Sequence, residues 1–265
     1  MQKDINYEPS IHRVEQTLPD GQVVNRKWLK EKGYERTAID YYVRSGKLVS
    51  IGRGVYRRPG PPLKWEHLFY SLQELEYLLH VGGQSALDYQ GYTHYLPLGN
   101  MQKEITLYGK SKLPLWMKNI DKNVKFTAYA QKGFTKLPKN SLTTIVFGHW
   151  DWELNLSSVE LALFELLSQV KDESDFLVVD KYFESATVLR TELLNELLDA
   201  STNIQTKRLF MWFADRHSHQ WNSKLNRDNI NLGSGKRSII KGGAFDKKYN
   251  ITVPKEMLNN EEFFF

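Results

Sequence analysis

Five polar side chains repeat at helical spacing and carry the chemistry of DNA contacts: Arg36, Thr37, Asp40, Tyr41 and Arg44. An arginine can bind guanine through two hydrogen bonds, and threonine or tyrosine hydroxyls can donate to phosphate oxygens. The apolar residues between them form the opposite stripe of the same segment: Ala38, Ile39, Tyr42 and Val43. The spacing therefore predicts a helix whose outer face can enter a DNA groove.

Three further arginines, Arg53, Arg57 and Arg58, lie in or after a short glycine-containing turn, and Arg26 is a fourth candidate before it. Arg53 lies between Gly52 and Gly54, and glycine permits the positive φ angles of a tight hairpin turn. Cations at the tip and on the returning arm of such a hairpin can contact phosphates beside the groove. The alternative is that these arginines only keep an edge hairpin soluble.

Short helices and this hairpin are predicted to position the arginines. An early first helix is indicated by three apolar residues: Ile11, Val14 and Leu18. A second helix begins after the capping residue Asn25 and ends at Gly33, and a third follows and ends at Gly46. Strands at 48–51 and 55–57 complete the hairpin. Helix, helix, hairpin is the plan of a winged helix-turn-helix.

The run Pro59-Gly60-Pro61-Pro62 interrupts helix and central strand alike, so we predict a domain boundary there. The expected domains are a DNA-binding winged helix at 1–62 and a larger domain at 63–265. In the larger domain we expect helices at 65–80, 82–92, 156–170, 181–200 and 205–217, and strands at 104–108, 124–130, 142–147, 237–241 and 249–253. Strands followed by helices, without strict alternation, indicate an α+β fold.

Charge is distributed in blocks along the chain. The net charge is +5 within residues 1–60, −5 within 63–204 and +7 within 205–250. Two basic surfaces separated by an acidic body are typical of a protein with a polyanionic partner. Solvated charge without any such partner is the alternative.

The overall composition indicates a folded protein that has no cysteine chemistry. Apolar residues make up 41% of the chain and cysteine is absent, which excludes disulfides and thiol-based catalysis. The first 18 residues are too charged for an export signal, and no apolar run approaches the roughly 18 residues of a membrane span. We therefore expect a cytoplasmic protein that does not enter a membrane.

The glycine-rich segment "NLGSGKRS", residues 231–238, invites comparison with a phosphate-binding loop. A Walker loop requires glycine five positions before the Gly-Lys pair and Ser or Thr after the lysine. This chain has Ile230 and Arg237 at those positions. The spacing argues against nucleotide hydrolysis, although the basic loop could bind nucleic acid phosphates or an acidic protein face.

Three other segments carry possible metal ligands: "GHWDWE" (148–153), "HSH" (217–219) and "VVDK" (178–181). His149, Asp151 and Glu153 alternate along one extended segment, but no second cluster stands at a recognised spacing. Asp180 and Lys181 are adjacent, so on a strand they would face opposite sides, unlike the acid-x-Lys of some nucleases. We expect no catalytic residue, no metal and no cofactor.

Several segments together resemble a known family of bacterial proteins. They are "RSGKLVSIGRGVYRRPG", "GGQSALDYQGY" followed by "ITLYG", "LSSVELALFELL", and above all "LGSGKRSIIKGGAFDKKYNITVP" at 232–254. On these segments the chain resembles the AbiEi antitoxins of the AbiE abortive-infection toxin–antitoxin systems. The resemblance covers nearly the whole chain, from the winged helix to Pro254.

The resemblance implies an antitoxin that also represses its own operon. Its winged helix would bind inverted repeats in the promoter, and its second domain would neutralise a nucleotidyltransferase-like toxin encoded beside it. Such systems do not require a tight toxin–antitoxin complex, so a stable complex is not assumed. The resemblance also makes Lys236, Arg237 and Lys241 candidates for antitoxin function. Paired half-sites would need two winged helices, from a homodimer or from monomers that bind together on DNA.

Two other function classes remain open at this stage. One is a nuclease or nucleic-acid-modifying enzyme that the winged helix directs to DNA. The other is a protein-interaction module whose winged helix binds no DNA. Cleaved or modified DNA in the presence of a divalent metal would identify the enzyme, and a DNA shift assay would exclude the interaction module.

Overall fold

The computed structural model describes residues 13–92, 102–120 and 123–258, which pack around two hydrophobic clusters. The smaller cluster lies within residues 14–56 and has Leu29, Ile39 and Tyr42 fully buried at its centre. The larger cluster joins a five-stranded sheet to the helices that follow it. The predicted first-helix residue Ile11 lies outside the described residues.

The described part of the amino-terminal region, residues 13–57, is a winged helix-turn-helix, as predicted. In chain order it contains α1 (Val14–Thr17), β1 (Val23–Asn25), α2 (Arg26–Glu31), α3 (Arg36–Arg44), β2 (Val49–Gly52) and β3 (Val55–Arg57). The strands form one antiparallel sheet in the order β1-β3-β2. The sequence did not indicate β1, which pairs with β3 from Val23 opposite Arg57 to Asn25 opposite Val55.

Local chemistry explains where the two central helices begin and end. The side chain of Asn25 accepts a hydrogen bond of 2.8 Å from the Trp28 backbone N–H, which caps α2. Gly33, with φ of 89°, ends that helix, and Gly46, with φ of 73°, follows α3. The N–H of Leu48 then donates to the carbonyl of Tyr42, and this bond turns the chain into the hairpin.

A mixed sheet forms the centre of the larger region. The elements that contribute to it or cover it are α4 (Trp65–Glu74), β4 (Leu79–Val81), α5 (Gly83–Tyr89), β5 (Lys103–Gly109), β6 (Val124–Ala130), β7 (Leu142–Phe147) and β8 (Trp152–Ser157). The strand order is β6-β5-β4-β8-β7. The β5–β6 and β4–β8 pairs are parallel and the other two pairs are antiparallel. The α+β prediction is confirmed.

A layer of helices then packs on the sheet. It comprises α6 (Val159–Leu167), α7 (Glu173–Ser185), α8 (Thr191–Ala200) and α9 (Ile204–His217), followed by β9 (Ala244–Asp246), β10 (Ile251–Val253) and α10 (Lys255–Leu258). Phe164 of α6 stacks on Phe210 of α9 with ring centroids 4.7 Å apart, and Phe183 of α7 stacks on Phe213 at 5.1 Å. The aromatic residues of α9 therefore form the centre of this layer.

The helix predicted at 65–80 is too long. It ends at Glu74 because Glu76 takes a left-handed conformation with φ of 62°. The Tyr77 N–H bonds back to the carbonyl of Leu72, which is a common helix-ending arrangement. The two leucines beyond Tyr77 do not continue the buried face of the helix. Leu78 is 63% exposed, and Leu79 begins a strand.

Three other predictions differ from the structure. The strand expected at 237–241 is an isolated bridge between Arg237 and Ile251, and β10 pairs instead with β9. Asp180 and Lys181 lie on a helix, so they do not face opposite sides of a strand. That helix begins at Glu173, where Asp172 forms a reciprocal cap with Asp175, and it ends at Ser185, so it overlaps only the start of the helix expected at 181–200.

The winged helix is docked on the larger region. The Val23 N–H donates a buried hydrogen bond of 2.8 Å to the Ser71 hydroxyl of α4. Val23 and Val55 belong to the larger hydrophobic cluster, although both lie in the winged helix. Gly52 lies so close to Trp116 that an added Cβ would meet the Cβ of the tryptophan at 3.3 Å. The turn end of the hairpin, at Gly52 and Val55, therefore shares its packing with the larger region.

Candidate nucleic-acid interface

The outer face of α3 presents the predicted side chains to solvent. Arg36, Thr37 and Arg44 are exposed, and Asp40 and Tyr41 are half-buried. Arg36 Nε lies 3.8 Å from an Asp40 carboxylate oxygen, and Arg44 Nε donates to the Asp40 carbonyl at 3.2 Å. An exposed ion pair of this kind contributes little to stability, so Arg36 can exchange Asp40 for a phosphate at small cost.

Tyr41 is more constrained than its neighbours on this face. Its ring packs edge-to-face on Tyr42 with centroids 5.6 Å apart. Tyr42 is buried in the small core, and its ring also packs on Tyr34 at 5.9 Å. The core therefore restricts the orientation of the Tyr41 ring.

The hairpin holds Arg53 at its exposed tip. Gly54 has φ of 71°, and a Cβ added there would meet no atom within 4 Å. The Gly54 side of the tip is therefore open to solvent, whereas Gly52, on the other side of Arg53, packs on Trp116. A left-handed residue at this position explains the requirement for glycine.

Arg26 connects the hairpin to the helices. Its backbone N–H donates to the Gly54 carbonyl at 3.0 Å, and its guanidinium donates to the Tyr56 hydroxyl at 3.0 Å. The hydrogen bond to Tyr56 raises the pKa of the Arg26 guanidinium, and the charge of Asp40 on α3 adds to that rise. Arg26 is therefore in contact with the wing and within electrostatic range of α3. We call Arg26, Arg36, Arg44 and Arg53 the basic face.

The guanidinium groups of Arg57 and Arg58 bond to other groups of the protein. The guanidinium of Arg57 donates to the carbonyls of Gly60 and Pro61 at 3.0 and 2.7 Å. Arg58 donates to the carbonyl of Leu18 at 3.3 Å and forms an ion pair of 3.1 Å with Asp20. These bonds fix the Pro-Gly-Pro-Pro turn and the end of α1, so fewer donors of the two arginines remain for a ligand.

The basic loop of the carboxy-terminal tail lies far along the chain from this face. Lys236, Arg237 and Lys241 are exposed, and the Lys236 ammonium lies over the Phe245 ring at 4.9 Å from its centroid. The loop is held from below by Arg208, which is only 2% exposed. The guanidinium of Arg208 donates to the carbonyls of Leu232, Gly235 and Asn250. The sequence placed Arg208 in a basic segment and did not indicate this structural role.

Half of the cations in the segment 205–250 do not contribute to a free basic surface. Lys207 and Arg208 are buried, and Arg216, Arg227 and Lys248 form ion pairs. Asp215 accepts from Arg227, Lys248 and Tyr249 together. Burial favours the protonated acid, but these donors outweigh it and hold the pKa of the Asp215 carboxyl far below its ordinary value. The exposed charge is concentrated instead around the loop at 236–241.

Two of the three segments considered as metal sites, those with Asp180 and His217, have other partners. Asp180 accepts from Arg216 at 2.8 Å and from His217 at 2.9 Å. Burial tends to raise the pKa of Asp180, but the bonds from His217 and Arg216 lower it overall. Within residues 13–92, 102–120 and 123–258, no group of three or more His, Asp or Glu side chains could hold a metal ion. Over the same residues, no helix is long and apolar enough to cross a membrane.

Two family models match the chain. The model described as "Transcriptional regulator, AbiEi antitoxin, Type IV TA system" matches residues 102–254, and that described as "Transcriptional regulator, AbiEi antitoxin N-terminal domain" matches residues 7–98. A crystal structure of the RV2827C protein from Mycobacterium tuberculosis has 14% sequence identity and a TM-score of 0.55, covering 91% of this chain and 89% of that chain. That likeness concerns the fold. No curated protein matches the sequence.

Proposed function

We propose that this chain, which belongs to the AbiEi family of transcriptional regulators and antitoxins of type IV toxin–antitoxin systems, represses its own operon through the basic face. The observation that carries the proposal is the position of Arg26, which contacts Gly54 and Tyr56 of the wing and lies within electrostatic range of Asp40 on α3. The wing and the helix can therefore contact one duplex together.

Each part of the interface has its own task in this proposal. Thr37, Tyr41 and Arg44 on α3 enter or line the major groove, where direct base contacts give sequence preference. Arg53 at the wing tip and Arg26 at its side contact phosphates and set the orientation of α3. Arg57 and Arg58, with their internal bonds, hold the frame on which the wing stands.

The promoter target we propose is an inverted repeat. Two winged helices would occupy its half-sites, either as a homodimer or as monomers that bind together on DNA. In this proposal residues 1–62 bind DNA and residues 63–265 carry the antitoxin function. The protein would act in the cytoplasm, on its own promoter.

For the second task we propose that the larger region neutralises a nucleotidyltransferase-like toxin encoded by the neighbouring gene. The exposed cations Lys236, Arg237 and Lys241 contribute to this function, on a loop that Arg208 holds in place. Neutralisation does not require a stable complex of the two proteins.

Fluorescence anisotropy with labelled DNA from upstream of the gene tests the first task. We expect binding that is stronger than to a shuffled duplex of equal length and that weakens steeply with added salt. Equal affinity for the two duplexes would contradict a regulatory function of the winged helix.

Co-expression with the neighbouring gene tests the second task. We expect the full chain to restore growth, and the triple variant Lys236→Ala, Arg237→Ala, Lys241→Ala to restore it less while still binding upstream DNA. A triple variant that protects as well as the native chain would refute the role of the loop.

A further inference from the structure

The strand β7 forms one edge of the five-stranded sheet, and within the described residues it pairs only with β8. This pairing keeps one register over all six residues of the strand. The Ser158 N–H donates to the Ser141 carbonyl at 2.8 Å, and the backbone groups of successive residues point to alternate sides of a strand. The N–H and C=O groups of Leu142, Thr144 and Val146 therefore point away from β8.

The β7 edge lacks the features that protect exposed edges in folded proteins. Such edges usually carry charged residues, proline or a bulge, because their open hydrogen-bonding groups can pair with another strand. The opposite edge of the sheet, β6, follows this rule, since it carries Lys125, whose ammonium lies 3.3 Å from the Glu104 carboxylate. In β7 and its flanks, no charged residue and no proline occur from 140 to 148. The β7 edge is therefore open to pairing with another strand.

Both faces of β7 offer apolar surface to a neighbouring strand. On the outer face Leu142 is 45% exposed and Val146 is 57% exposed, with the exposed Thr144 between them. On the inner face Ile145 and Phe147 pack against the larger hydrophobic cluster but are only half-buried. A strand added beside β7 would remove apolar side chains from water on both faces of the sheet.

The order of side chains along β7 is self-complementary. In an antiparallel pair, opposite residues share a face, and they exchange two hydrogen bonds where their backbone groups point at each other. If two copies meet with Thr144 opposite Thr144, Leu142 of each copy lies opposite Val146 of the other. All three residues with outward backbone groups then have a partner. Thr–Thr and aliphatic pairs of this kind stabilise antiparallel sheets.

The charges beyond the two ends of β7 favour the same arrangement. The exposed Lys136 and Lys139 precede the strand, and the exposed Asp151 and Glu153 follow it. Antiparallel pairing of two copies places the lysines of one copy beside the acids of the other, at both ends of the paired strands. Parallel pairing would bring lysine to lysine and acid to acid. Opposite charges at matching positions favour the antiparallel register.

We propose that the β7 edge is a homodimer interface, in which two copies of the chain pair their β7 strands antiparallel about a two-fold axis at Thr144. The sheets of the two copies then form one continuous sheet. Two-fold symmetry lets the same residues supply both sides of the contact. A contact centred on one pair of strands is small, so we expect dissociation in the micromolar range. The dimer needs no DNA, and it would supply the two winged helices that an inverted repeat requires.

Sedimentation velocity of the full chain without DNA, over roughly 1 to 200 μM, tests the proposal. We expect a reversible equilibrium between monomer and dimer. Thr144→Lys and Thr144→Glu each place two like charges opposite each other on the two-fold axis, so either variant alone should stay monomeric over this range. An equimolar mixture of the two variants should dimerise again, because a lysine then lies opposite a glutamate.

Thr202→Lys is the matched control, because it adds the same charge at an exposed threonine outside β7. This variant should dimerise as the native chain does. Circular dichroism and urea denaturation would show that both Thr144 variants are folded, as we expect for changes at an exposed position of an edge strand.

Three results would overturn the assignment. The first is a native chain that stays monomeric at every concentration, and the second is folded Thr144 variants that dimerise as strongly as the native chain. The third is a mixture of the two variants that does not dimerise. If the native chain is monomeric and Thr144→Lys fails to restore growth beside the neighbouring gene, β7 binds the toxin instead of a second copy. None of these results involves DNA, so each would leave the proposed regulatory function standing, with monomers that bind together on the promoter.

Discussion

The guanidinium of Arg26 donates to the hydroxyl of Tyr56 across 3.0 Å, and this bond joins the first residue of α2 to the central strand of the wing. Tyr56 is 5% exposed, so its ring is fixed by the small core and its hydroxyl holds Arg26 in place. The position of one cation in the basic face thus depends on a buried aromatic ring.

Replacing Tyr56 by Phe should show how much the position of Arg26, as distinct from its charge, contributes to DNA affinity. Because the variant keeps Arg26 but removes its acceptor, we expect operator affinity to fall about fivefold, the effect of one hydrogen bond of about 1 kcal/mol. The slope of log affinity against log salt should not change, since no cation is lost. Arg26→Ala should instead reduce that slope by about 0.9. Identical salt slopes for the two variants would contradict this division.

Arg44→Ala and Arg53→Ala test the two ends of the basic face. Each arginine that contacts a phosphate should reduce the salt slope by about 0.9 when removed, and both variants should bind operator DNA more weakly. Lys110→Ala is a control, because it removes one exposed positive charge from the residue that follows β5 in the larger region. If Lys110→Ala weakens DNA binding as much as Arg44→Ala and Arg53→Ala do, only the overall charge of the protein matters and the proposed face is wrong.

The Asp215 cluster should make stability depend on pH. Asp215→Asn should lower the free energy of unfolding by about 2–3 kcal/mol at neutral pH, because Arg227, Lys248 and Tyr249 lose a charged acceptor. The native-state pKa of Asp215 is lowered, so its contribution is complete above the unfolded pKa of about 3.9. It is lost as pH falls from there towards the native-state value.

Urea denaturation of the native and variant proteins at several pH values checks this prediction. The difference between the two free energies should be constant near neutrality and should shrink below about pH 4. Asp228→Asn, which changes an exposed acid in a neighbouring turn, should have little effect at any pH. A difference that grows in acid would have the wrong sign for a lowered pKa.

Thr206→Val should stabilise the protein. The hydroxyl is buried without a partner, so its replacement by a methyl group of similar size removes an unpaired polar atom from the interior. We expect the free energy of unfolding to rise by about 1 kcal/mol. The exposed Thr202→Val change should alter it little. A loss of stability in Thr206→Val would mean that the hydroxyl is already paired in the folded protein.

The plan of the winged helix could be predicted from sequence because its signals are local. The cap at Asn25, the turn at Gly33 and the helix end at Gly46 each act over three or four residues, and all three have the expected geometry. The strands at 124–130 and 142–147 were also predicted with their observed bounds. Their β-branched and aromatic residues favour extended chain whatever the partner strand.

Elements defined by distant partners could not be predicted in the same way. The strand β1 has only three residues, and it exists because Val24 lies opposite Tyr56, 32 positions along the chain. The strand β4 lies in a leucine-rich segment whose spacing predicted a helix. It forms a strand because it pairs with β5 on one side and with β8 on the other. Periodicity describes a segment alone, whereas strand pairing depends on which other segment arrives beside it.

The sequence by itself determined which side chains could bind DNA, since residue type and helical spacing place Arg36, Thr37 and Arg44 together on one face. Only the tertiary structure decided which of the arginines keep their donors for a ligand. Arg57 and Arg58 give theirs to backbone carbonyls and Asp20, and Arg208 is buried beneath the tail loop. The physical reason is that the residue type alone gives an arginine its charge. Whether its guanidinium can bind a ligand depends on its burial and on the acceptors that folding brings near it.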